Sequence, residues 1–365
     1  MGVVDKIADL EAEYARTQKN KATEGHLGLL KAKIARLKKE QEEGGGRGGK
    51  GGGVSHGFDV KKAGNSTVVL IGLPSVGKSS ILNALTGAGS RTAAYAFTTV
   101  TCIPGMLEHK GAQIQILDLP GIIAGAEEGR GRGREVIAVA RNADLVLFVL
   151  DVFDPFYLPK LQATLEKIGI RLDCEPPRIS INRTAKGGLN IVFEKKPTHL
   201  SEKIVSQILG EYGIFSANVI FRENASIDQL IDVLVGNRVY ATSLVVVNKV
   251  DLVKPDFLKQ VPYPFIPVSV EKKYNIEKLK DALFDKLRLI RVFTRSRFEG
   301  VDKDEPLIVR EGTTVGHAAE KLHRELKTLF KAAKIWGPSA KHPGQRVGAD
   351  HVLRDGDTFI VEKRR

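Results

Sequence analysis

The sequence is poor in cysteine and tryptophan and has no long apolar run. Of its 365 residues, two are cysteine (Cys102 and Cys174) and one is tryptophan. Two cysteines cannot form a disulfide framework, and these lack the spacing of a zinc site, so a reducing compartment is expected. Apolar runs such as LVLFVL from Leu145 have the length of a strand, not of a membrane span. The charged first residues are unlike a secretory signal. We therefore expect a cytoplasmic protein with no membrane partner.

Positively charged residues outnumber negatively charged ones. The chain carries 56 Lys and Arg against 43 Asp and Glu, a formal charge of +13. This excess favours an anionic partner such as RNA. A basic protein without such a partner remains the alternative. Nothing in the sequence favours DNA.

Short apolar runs rich in β-branched residues alternate with helical stretches from Thr67 onward. They read TVVLIG, QIQILDL, ADLVLFVLDV, SLVVVNK and FIPVSV. This α/β alternation predicts a mostly parallel sheet with helices on both faces. The interval between Val152 and Leu244 is far longer than a crossover requires. It contains strand and helix patterns of its own, including a capping pair at Ser226 and Gln229, so we predict an inserted α/β subdomain.

The two ends of the chain predict further units. Apolar residues at spacings of three and four predict two N-terminal helices, and the run GGGRGGKGGG then predicts a flexible joint. Near the other end, EPLIVREGTTVGHAAEKLHREL predicts strand, turn and helix before a closing strand. The predicted domains are a helical hairpin at 1–43, a Gly-rich linker at 44–64, a core at 65–151 and 241–290, an insertion at 152–240, and a C-terminal domain at 291–365.

A glycine-rich loop lies between the first predicted strand of the core and a helix. It fits the pattern G-x-x-x-x-G-K-S, in which backbone amides surround phosphates, a lysine reaches the β- and γ-phosphates, and a hydroxyl binds magnesium. The lysine is Lys78 and the hydroxyl belongs to Ser79. A turn that merely joins strand to helix is the alternative. The predicted nucleotide-binding residues of this loop are Gly72, Leu73, Pro74, Ser75, Val76, Gly77, Lys78, Ser79 and Ser80.

Two further motifs concern the γ-phosphate and its metal. In DLPG, Asp118 can hold magnesium through water and the amide of Gly121 can sense the γ-phosphate. Alone, such a motif is also a common strand-ending turn. In AAYAFTTVTCIPG, either Thr98 or Thr99 could close on magnesium when a γ-phosphate is present. An ordinary β-rich segment is the alternative for this stretch.

A fourth motif, NKVD, follows the strand SLVVV and addresses the base. The carboxylate of Asp251 can accept two hydrogen bonds from guanine, whereas adenine offers no such pair of donors. Asn248 and Lys249 would steady the loop and cover the base. Ser269 and Val270 end the last strand of the core, where their backbone amides could meet the guanine oxygen. Together the motifs predict a GTP site and disfavour an ATP-using enzyme.

These motifs in this order resemble the developmentally regulated GTP-binding protein (DRG) family of Obg-like GTPases. The resemblance rests on the phosphate loop, FTT, DLPGIIAGAEEGRGRG, NKVD, GNRVY and WGPSAKHPGQRVGADHVLRDGD. It implies a P-loop GTPase core with a ribosomal-protein-like insertion, an N-terminal helical region and a C-terminal TGS domain of β-grasp type. It also implies association with translating ribosomes and, in eukaryotic members, a stabilising partner protein; the expected partners are GTP or GDP and a ribosome, rRNA or tRNA.

The resemblance further implies hydrolysis of GTP to GDP and phosphate with Mg²⁺. In the family the second threonine of FTT senses the metal, which selects Thr99. The implied metal-binding residues are Ser79, Thr99 and Asp118, and the implied catalytic residues are Lys78, Thr99 and Gly121. Members that use potassium (K⁺) usually carry asparagine at the position of Ser75, so a monovalent cation is left open.

Two features limit the mechanism. Ile122 stands where Ras-like enzymes place a water-orienting glutamine, so we expect slow intrinsic hydrolysis. Arg130, Arg132 and Arg134 could serve as an arginine finger, contact RNA or be solvated, and the sequence leaves their role open. The leading hypothesis is a nucleotide-dependent switch in translation. The alternative is a constitutive RNA- or ribosome-binding scaffold in which GTP is mainly structural.

Overall fold

The computed structural model describes residues 2–18, 20, 23–44, 63–87, 103–118, 143–296, 300–301 and 305–363. They group into two compact units. One comprises Met1–Ser55 with Cys174–Tyr240, and the other comprises His56–Asp173 with Ala241–Arg365.

The secondary-structure elements alternate along most of the chain. The strands are β1 (Ser66–Ile71), β2 (Ile103–His109), β3 (Ala112–Asp118), β4 (Leu145–Asp151), β5 (Ile170–Leu172), β6 (Ile179–Arg183), β7 (Leu189–Phe193), β8 (Ala217–Phe221), β9 (Val239–Asn248), β10 (Ile266–Pro267), β11 (Leu289–Ser296), β12 (Gly300–Val301), β13 (Leu307–Arg310), β14 (Phe330–Trp336), β15 (Gln345–Val347) and β16 (Thr358–Lys363). The α-helices are α1 (Val3–Arg16), α2 (Glu24–Gly44), α3 (Lys78–Thr86), α4 (Leu158–Lys167), α5 (Glu202–Glu211), α6 (Ile227–Val235), α7 (Pro255–Leu258), α8 (Ile276–Lys286), α9 (Val315–Leu322) and α10 (Glu325–Thr328).

The larger unit is built on a seven-stranded sheet of order β10-β9-β4-β1-β3-β2, with β5 against β9. The pairs β1–β3, β1–β4, β4–β9 and β9–β10 are parallel, and β2–β3 is antiparallel. The predicted α/β fold with a mostly parallel sheet is therefore confirmed. Parallel pairing brings the carboxyl ends of β1, β3, β4 and β9 to one edge, where ligands of such sheets bind.

Burial on both faces explains why these strands read as continuous apolar runs. Every residue of β1 is buried, as is every residue of β4 before its terminal Asp151. The run FIPVSV is an exception, because only Ile266–Pro267 form a strand. Proline has no N–H to donate to a ladder, and the chain instead makes an isolated bridge between Ser269 and Tyr274.

Residues 155–172 belong to the larger unit. They form a short 3-10 turn and α4, and then β5, which pairs with β9. The Asp173 carboxylate fastens this edge by accepting a hydrogen bond from the Ser243 N–H at 3.0 Å. The smaller unit resumes at Cys174. The boundaries 152–240 for the insertion stay a prediction.

The smaller unit contains the N-terminal helices and a three-stranded sheet of order β6-β8-β7. Helix α2 packs against α5 and α6, and Ala32 lies in a core shared with Val205 and Leu230. Polar contacts reinforce this packing: Lys31 Nζ lies 2.7 Å from Asp228 Oδ1, and Lys39 Nζ donates to the Val235 carbonyl at 2.9 Å. The narrow apolar stripe of α2 is thus covered by neighbouring helices.

The C-terminal sheet of the larger unit has the order β12-β11-β16-β14-β15, with β13 against β11. Val315 and Ala318 of α9 pack on its inner face with Val292, Ala333 and Phe359. The strand, helix and closing strand predicted from the sequence are β13, α9 and β16, and the sheet also contains β11, β12, β14 and β15. Arg310 of β13 donates to Asp144, which precedes β4, so this sheet contacts the core. None of the described helices is long and apolar enough to cross a membrane.

Candidate nucleotide-binding site

The phosphate loop lies between β1 and α3, and two of its glycines are required by close contacts. Gly77 has φ +94°, and a Cβ there would lie 2.3 Å from Asn248 Nδ2. A Cβ at Gly72 would lie 2.2 Å from the Val149 carbonyl oxygen. No side chain larger than hydrogen fits at either position without displacing its neighbour. The loop ends at the N-terminus of α3, whose first backbone N–H groups are not used within the helix and can bind an anion.

Lys78 lies inside this loop with 8% of its surface exposed. Its Nζ donates to the carbonyl oxygens of Gly72 at 3.1 Å and Leu73 at 2.9 Å. Burial lowers the pKa of Lys78, while the negative charge of Asp118 acts in the opposite direction. A phosphate beside this ammonium group would stabilise its charged form. The arrangement therefore suits a phosphorylated ligand.

Ser79 and Asp118 meet at the edge of the sheet. The Ser79 hydroxyl donates to Asp118 Oδ2 at 2.6 Å. Asp118 is 1% exposed, and its Oδ1 has no hydrogen-bond partner in the described part of the chain. A buried carboxylate oxygen without a partner is costly unless it meets a cation or a donor. The pair thus fits a magnesium ion held by one hydroxyl, waters and phosphate oxygens. No group of three or more His, Cys, Asp or Glu with metal-site geometry occurs among the described residues.

The NKVD motif is joined to the phosphate loop by two side chains. Asn248 is 3% exposed and donates through Nδ2 to the Val76 carbonyl at 3.0 Å. Lys249 Nζ donates to the Ser75 carbonyl at 3.1 Å. Both Lys249 (φ +63°) and Ser75 (φ +64°) adopt left-handed backbone conformations, which side chains larger than glycine rarely do. The two loops are therefore held in one arrangement by contacts across a long sequence separation.

The remaining base-site candidates lie in adjoining loops. Asp251 is exposed in a 3-10 turn, Val250–Leu252. Ser269 is 1% exposed, and its hydroxyl accepts a hydrogen bond from the Lys272 N–H at 3.1 Å. The Val250 N–H donates to the Val268 carbonyl at 3.3 Å, which links the two loops. Val270 is half-buried against the core.

Some of the remaining predicted residues lie within the described part of the chain and others do not. Within the phosphate loop, Pro74, Ser75, Ser79 and Ser80 are exposed, and Leu73 packs against the core. Thr98, Thr99, Gly121 and Ile122, and the arginines Arg130, Arg132 and Arg134, lie outside the described residues. Their predicted roles stay predictions.

One residue of the site, Asp151, belongs to none of the motifs recognised in the sequence. Asp151 ends β4, and its Oδ2 lies 2.6 Å from Lys249 Nζ. The sequence does contain a sign of this role, because LVLFVLD places a carboxylate at the carboxyl end of a buried strand. Its partner, however, is 98 positions away along the chain, and only the pairing of β4 with β9 shows that they meet.

Comparison with protein families gives three consecutive matches. A family model described as 50S ribosome-binding GTPase matches residues 67–183, and one described as the C-terminal region of that GTPase domain matches residues 186–289. A TGS domain model matches residues 290–360.

Curated relatives match along the whole chain. An uncharacterized GTP-binding protein of Methanocaldococcus jannaschii is 46% identical over 372 residues, covering 100% of this chain and 94% of the relative. Developmentally-regulated GTP-binding protein 2 homolog of Dictyostelium discoideum is 47% identical over 368 residues, covering 100% of both chains. Developmentally-regulated GTP-binding protein 1 of Xenopus laevis is 44% identical, again over 100% of both chains. The chain therefore belongs to the developmentally regulated GTP-binding protein family, GTP-binding proteins with a P-loop GTPase domain and a C-terminal TGS domain.

Proposed function

We propose that the protein hydrolyses GTP to GDP and phosphate and acts as a nucleotide-dependent switch on ribosomes or their RNA during translation. GTP binding and hydrolysis are supported by the contacts that join the phosphate loop to the NKVD motif and to Asp118. Asn248 bonds the phosphate loop at Val76, while Ser79 of the same loop bonds Asp118. A guanine-reading loop and a metal-binding pair are thereby fixed to one phosphate-binding backbone.

In the proposed reaction a water attacks the γ-phosphorus, the bond from phosphorus to the β–γ bridging oxygen breaks, and GDP leaves with the negative charge. Lys78 and the amides of the loop stabilise the charge that develops on the β- and γ-phosphate oxygens. Magnesium bound by Ser79, Asp118 and Thr99 would neutralise part of that charge. The Asp251 carboxylate selects guanine by accepting its two hydrogen bonds, and the Gly121 backbone amide contacts the γ-phosphate. These residue roles are part of the proposal.

The expected intrinsic rate is slow, because Ile122 cannot orient the attacking water. Ras, which has the glutamine, turns over without its activator at roughly 3–5 × 10⁻⁴ per second, and we expect a rate no higher than that here. The test is phosphate release from GTP by the purified chain, with magnesium, with excess EDTA, and with KCl in place of NaCl. Release that requires magnesium supports the proposal, and release unaffected by EDTA contradicts it. An effect of KCl would assign a potassium site despite Ser75.

The ribosomal part rests on charge and on one exposed surface. The matched model for residues 67–183 is described as a ribosome-binding GTPase, and the chain has a formal charge of +13. On the outer face of the C-terminal sheet, the Arg295 guanidinium carbon lies 4.8 Å from the centroid of the Trp336 ring. Lys334 of β14 and Arg346 of β15 are register partners nearby. Both side chains contact the Glu362 carboxylate, at 3.8 and 3.0 Å, so Arg295 is the cation of this surface that stacks on the aromatic ring. Arginine planes and cationic side chains on an open sheet suit RNA bases and phosphates.

That same surface favours the second candidate, a constitutive RNA- or ribosome-binding scaffold, because it does not depend on the nucleotide. Co-sedimentation with ribosomes in GDP and in a non-hydrolysable GTP analogue, at low and moderate salt, separates the two. Binding that strengthens with the analogue and survives moderate salt supports the switch. Equal binding in both states that fades as salt rises supports the scaffold.

We propose the domain boundaries given by the sequence, a cytoplasmic location in keeping with the two cysteines, and a stabilising partner protein as in eukaryotic relatives. Affinity purification of the chain from its source cells, followed by sedimentation of the complex, tests for that partner.

A further inference from the structure

Lys249 is the centre of a small network that ties three loops together. Its Nζ lies 2.6 Å from Asp151 Oδ2 and donates to the Ser75 carbonyl at 3.1 Å. Asp151 belongs to the end of β4, Ser75 to the phosphate loop, and Lys249 to the loop that follows β9. Lys249 adopts a left-handed backbone conformation, φ +63°, where it makes these contacts. Asp151 is thus the one carboxylate that the network uses among the described residues.

The carboxylate of Asp151 is itself fixed in place. Its Oδ1 accepts a hydrogen bond from the Phe153 N–H at 3.1 Å, and the Asp154 N–H donates to the Asp151 carbonyl at 3.1 Å. The Val152 N–H donates to the Asn248 carbonyl at 3.1 Å, next to Lys249. The Asp151 side chain is 18% exposed and the Lys249 side chain 36%. A lysine has several rotatable bonds, so it needs such a fixed acceptor to hold one orientation.

We infer that Asp151 is a positioning residue for guanine nucleotide binding, acting through Lys249. By fixing the ammonium group between Asp151 and Ser75, it holds the aliphatic part of Lys249 in one place beside the base site, and it holds the NKVD loop against the phosphate loop. Without the carboxylate, Lys249 is expected to sample other rotamers. Nucleotide binding must then order the side chain, which weakens affinity.

The inference rests on guanine nucleotide binding and is independent of the proposed role on ribosomes. Asp151→Ala removes both carboxylate contacts. Asp151→Asn removes the charge and keeps an oxygen that can still accept from the Phe153 N–H. Asp256→Asn is the matched control, because Asp256 also pairs with a lysine, Lys259, at 2.7 Å but is highly exposed and lies outside the site.

The experiment measures the Kd and dissociation rate of fluorescent GDP for each variant in the full-length chain. Loss of a charge-assisted hydrogen bond gives an expected rise in Kd of about 10-fold for Asp151→Ala, mainly in the dissociation rate. Asp151→Asn should fall between this variant and the wild type, and Asp256→Asn should leave the Kd unchanged. For GTP hydrolysis, KM should rise in Asp151→Ala while kcat at saturating GTP stays within about twofold.

A double-mutant cycle with Lys249→Ala separates positioning from a general loss of structure. If Asp151 acts through Lys249, Asp151→Ala should add less than about a twofold effect in the Lys249→Ala background. An equal effect in both backgrounds would show that Asp151 acts through the turn at Phe153 and would overturn the inference. The inference would also be overturned if Lys249→Ala weakened GDP binding while Asp151→Ala left the Kd for GDP unchanged. A wild-type chain that fails to bind GDP would instead refute the base site itself.

Discussion

The two halves of the proposed nucleotide site, the phosphate loop and the loops expected to bind the base, differ in how they are held together. The phosphate half is formed by backbone, with Gly72 and Gly77 so close to neighbouring atoms that a Cβ would overlap them. Its charged groups, Lys78 and Asp118, are buried. The base half is formed by loops that side chains hold together, and Asp251 is exposed.

This difference determines how nucleotide affinity responds to amino-acid substitutions in each half. An added methyl group at Gly72 would meet the Val149 carbonyl and must move the chain itself, and one at Gly77 would meet the Asn248 side chain and must displace a residue that is hydrogen-bonded to the loop. A loop held by individual hydrogen bonds loses affinity in steps, one contact at a time. The phosphate half should therefore fail abruptly when it is altered, and the base half should change its affinity or its preference by degrees.

The largest effect is expected from Gly77→Ala. Alanine is strained at φ +94°, and its Cβ would lie 2.3 Å from Asn248 Nδ2. Displacing Asn248 also breaks its bond to Val76. Backbone strain and the lost contacts together give an expected loss of about 4 kcal/mol, or about 1000-fold in GDP affinity. Titration with fluorescent GDP measures this loss.

Gly87→Ala is the matched control for that substitution. Gly77 precedes α3 and Gly87, with φ +75°, follows it; among the described residues no atom lies within 4 Å of a Cβ at Gly87. It should lower the melting temperature through backbone strain and leave GDP affinity near that of the wild type. Equal losses of affinity in both variants would mean that strain, and not the close approach to Asn248, dominates, and the contrast between the two halves would fail.

The next effect is expected from Lys78→Met, which keeps the length of the side chain and removes its charge. Hydrogen bonds between an ammonium group and phosphates account for an expected loss of about 3 kcal/mol, or about 100-fold in GTP affinity. Burial lowers the pKa of Lys78, so the charged form is disfavoured in the folded chain. The substitution removes this buried charge but also the hydrogen bonds from Nζ to the Gly72 and Leu73 carbonyls, so the nucleotide-free variant should melt at a temperature close to that of the wild type. A lower melting temperature would argue that Lys78 stabilises the fold itself.

The sequence was most informative where structure is determined locally. The capping pair at Ser226 and Gln229 was predicted from four residues, and each side chain does bond the other's backbone N–H, at 3.2 and 2.8 Å. The buried runs of β1, β3, β4 and β9 were predicted from composition and length. Apolar strands that are buried on both faces leave such a signal without any knowledge of their neighbours.

Features that depend on contacts distant in sequence were not predicted. The strand β5 is three residues long, and its pairing with β9 is not visible in its own pattern. FIPVSV has strand composition, yet only Ile266 and Pro267 pair with the distant strand β9 before the chain turns. Asp151 and Lys249 meet only once β4 and β9 are adjacent. Sequence spacing therefore indicates the elements better than it indicates their partners.

A smaller effect in affinity, with a change of preference, is expected from Asp251→Asn. The amide presents a donor where guanine needs an acceptor, so GTP affinity should fall by about 30-fold. Xanthine has an oxygen in place of the exocyclic amine of guanine, so xanthosine triphosphate should bind the variant better than the wild type. Competition of both nucleotides against fluorescent GDP measures the two shifts. If GTP affinity survived unaltered, the assignment of the base site would be wrong.

The smallest effect is expected from Ser269→Ala. The lost hydrogen bond from the Lys272 N–H contributes about 1 kcal/mol, so GDP affinity should fall by about fivefold through a less ordered loop. The control is Ser201→Ala, because the Ser201 hydroxyl likewise accepts from a backbone N–H, that of Ile204, at 3.3 Å. Ser201 caps α5 in the smaller unit, so this variant should melt lower and bind GDP normally.

The pair tests whether the base half responds by degrees. If the base half depends on separate contacts, removing one hydroxyl must leave measurable binding and unchanged preference for guanine, because Asp251 is untouched. A loss from Ser269→Ala as large as that from Gly77→Ala would show that both halves form one rigid unit, and the distinction between a backbone cradle and a side-chain-held loop would not survive. An intermediate loss of GTP affinity in Asp251→Asn and a small loss of GDP affinity in Ser269→Ala are expected only if each side chain contributes separately to binding.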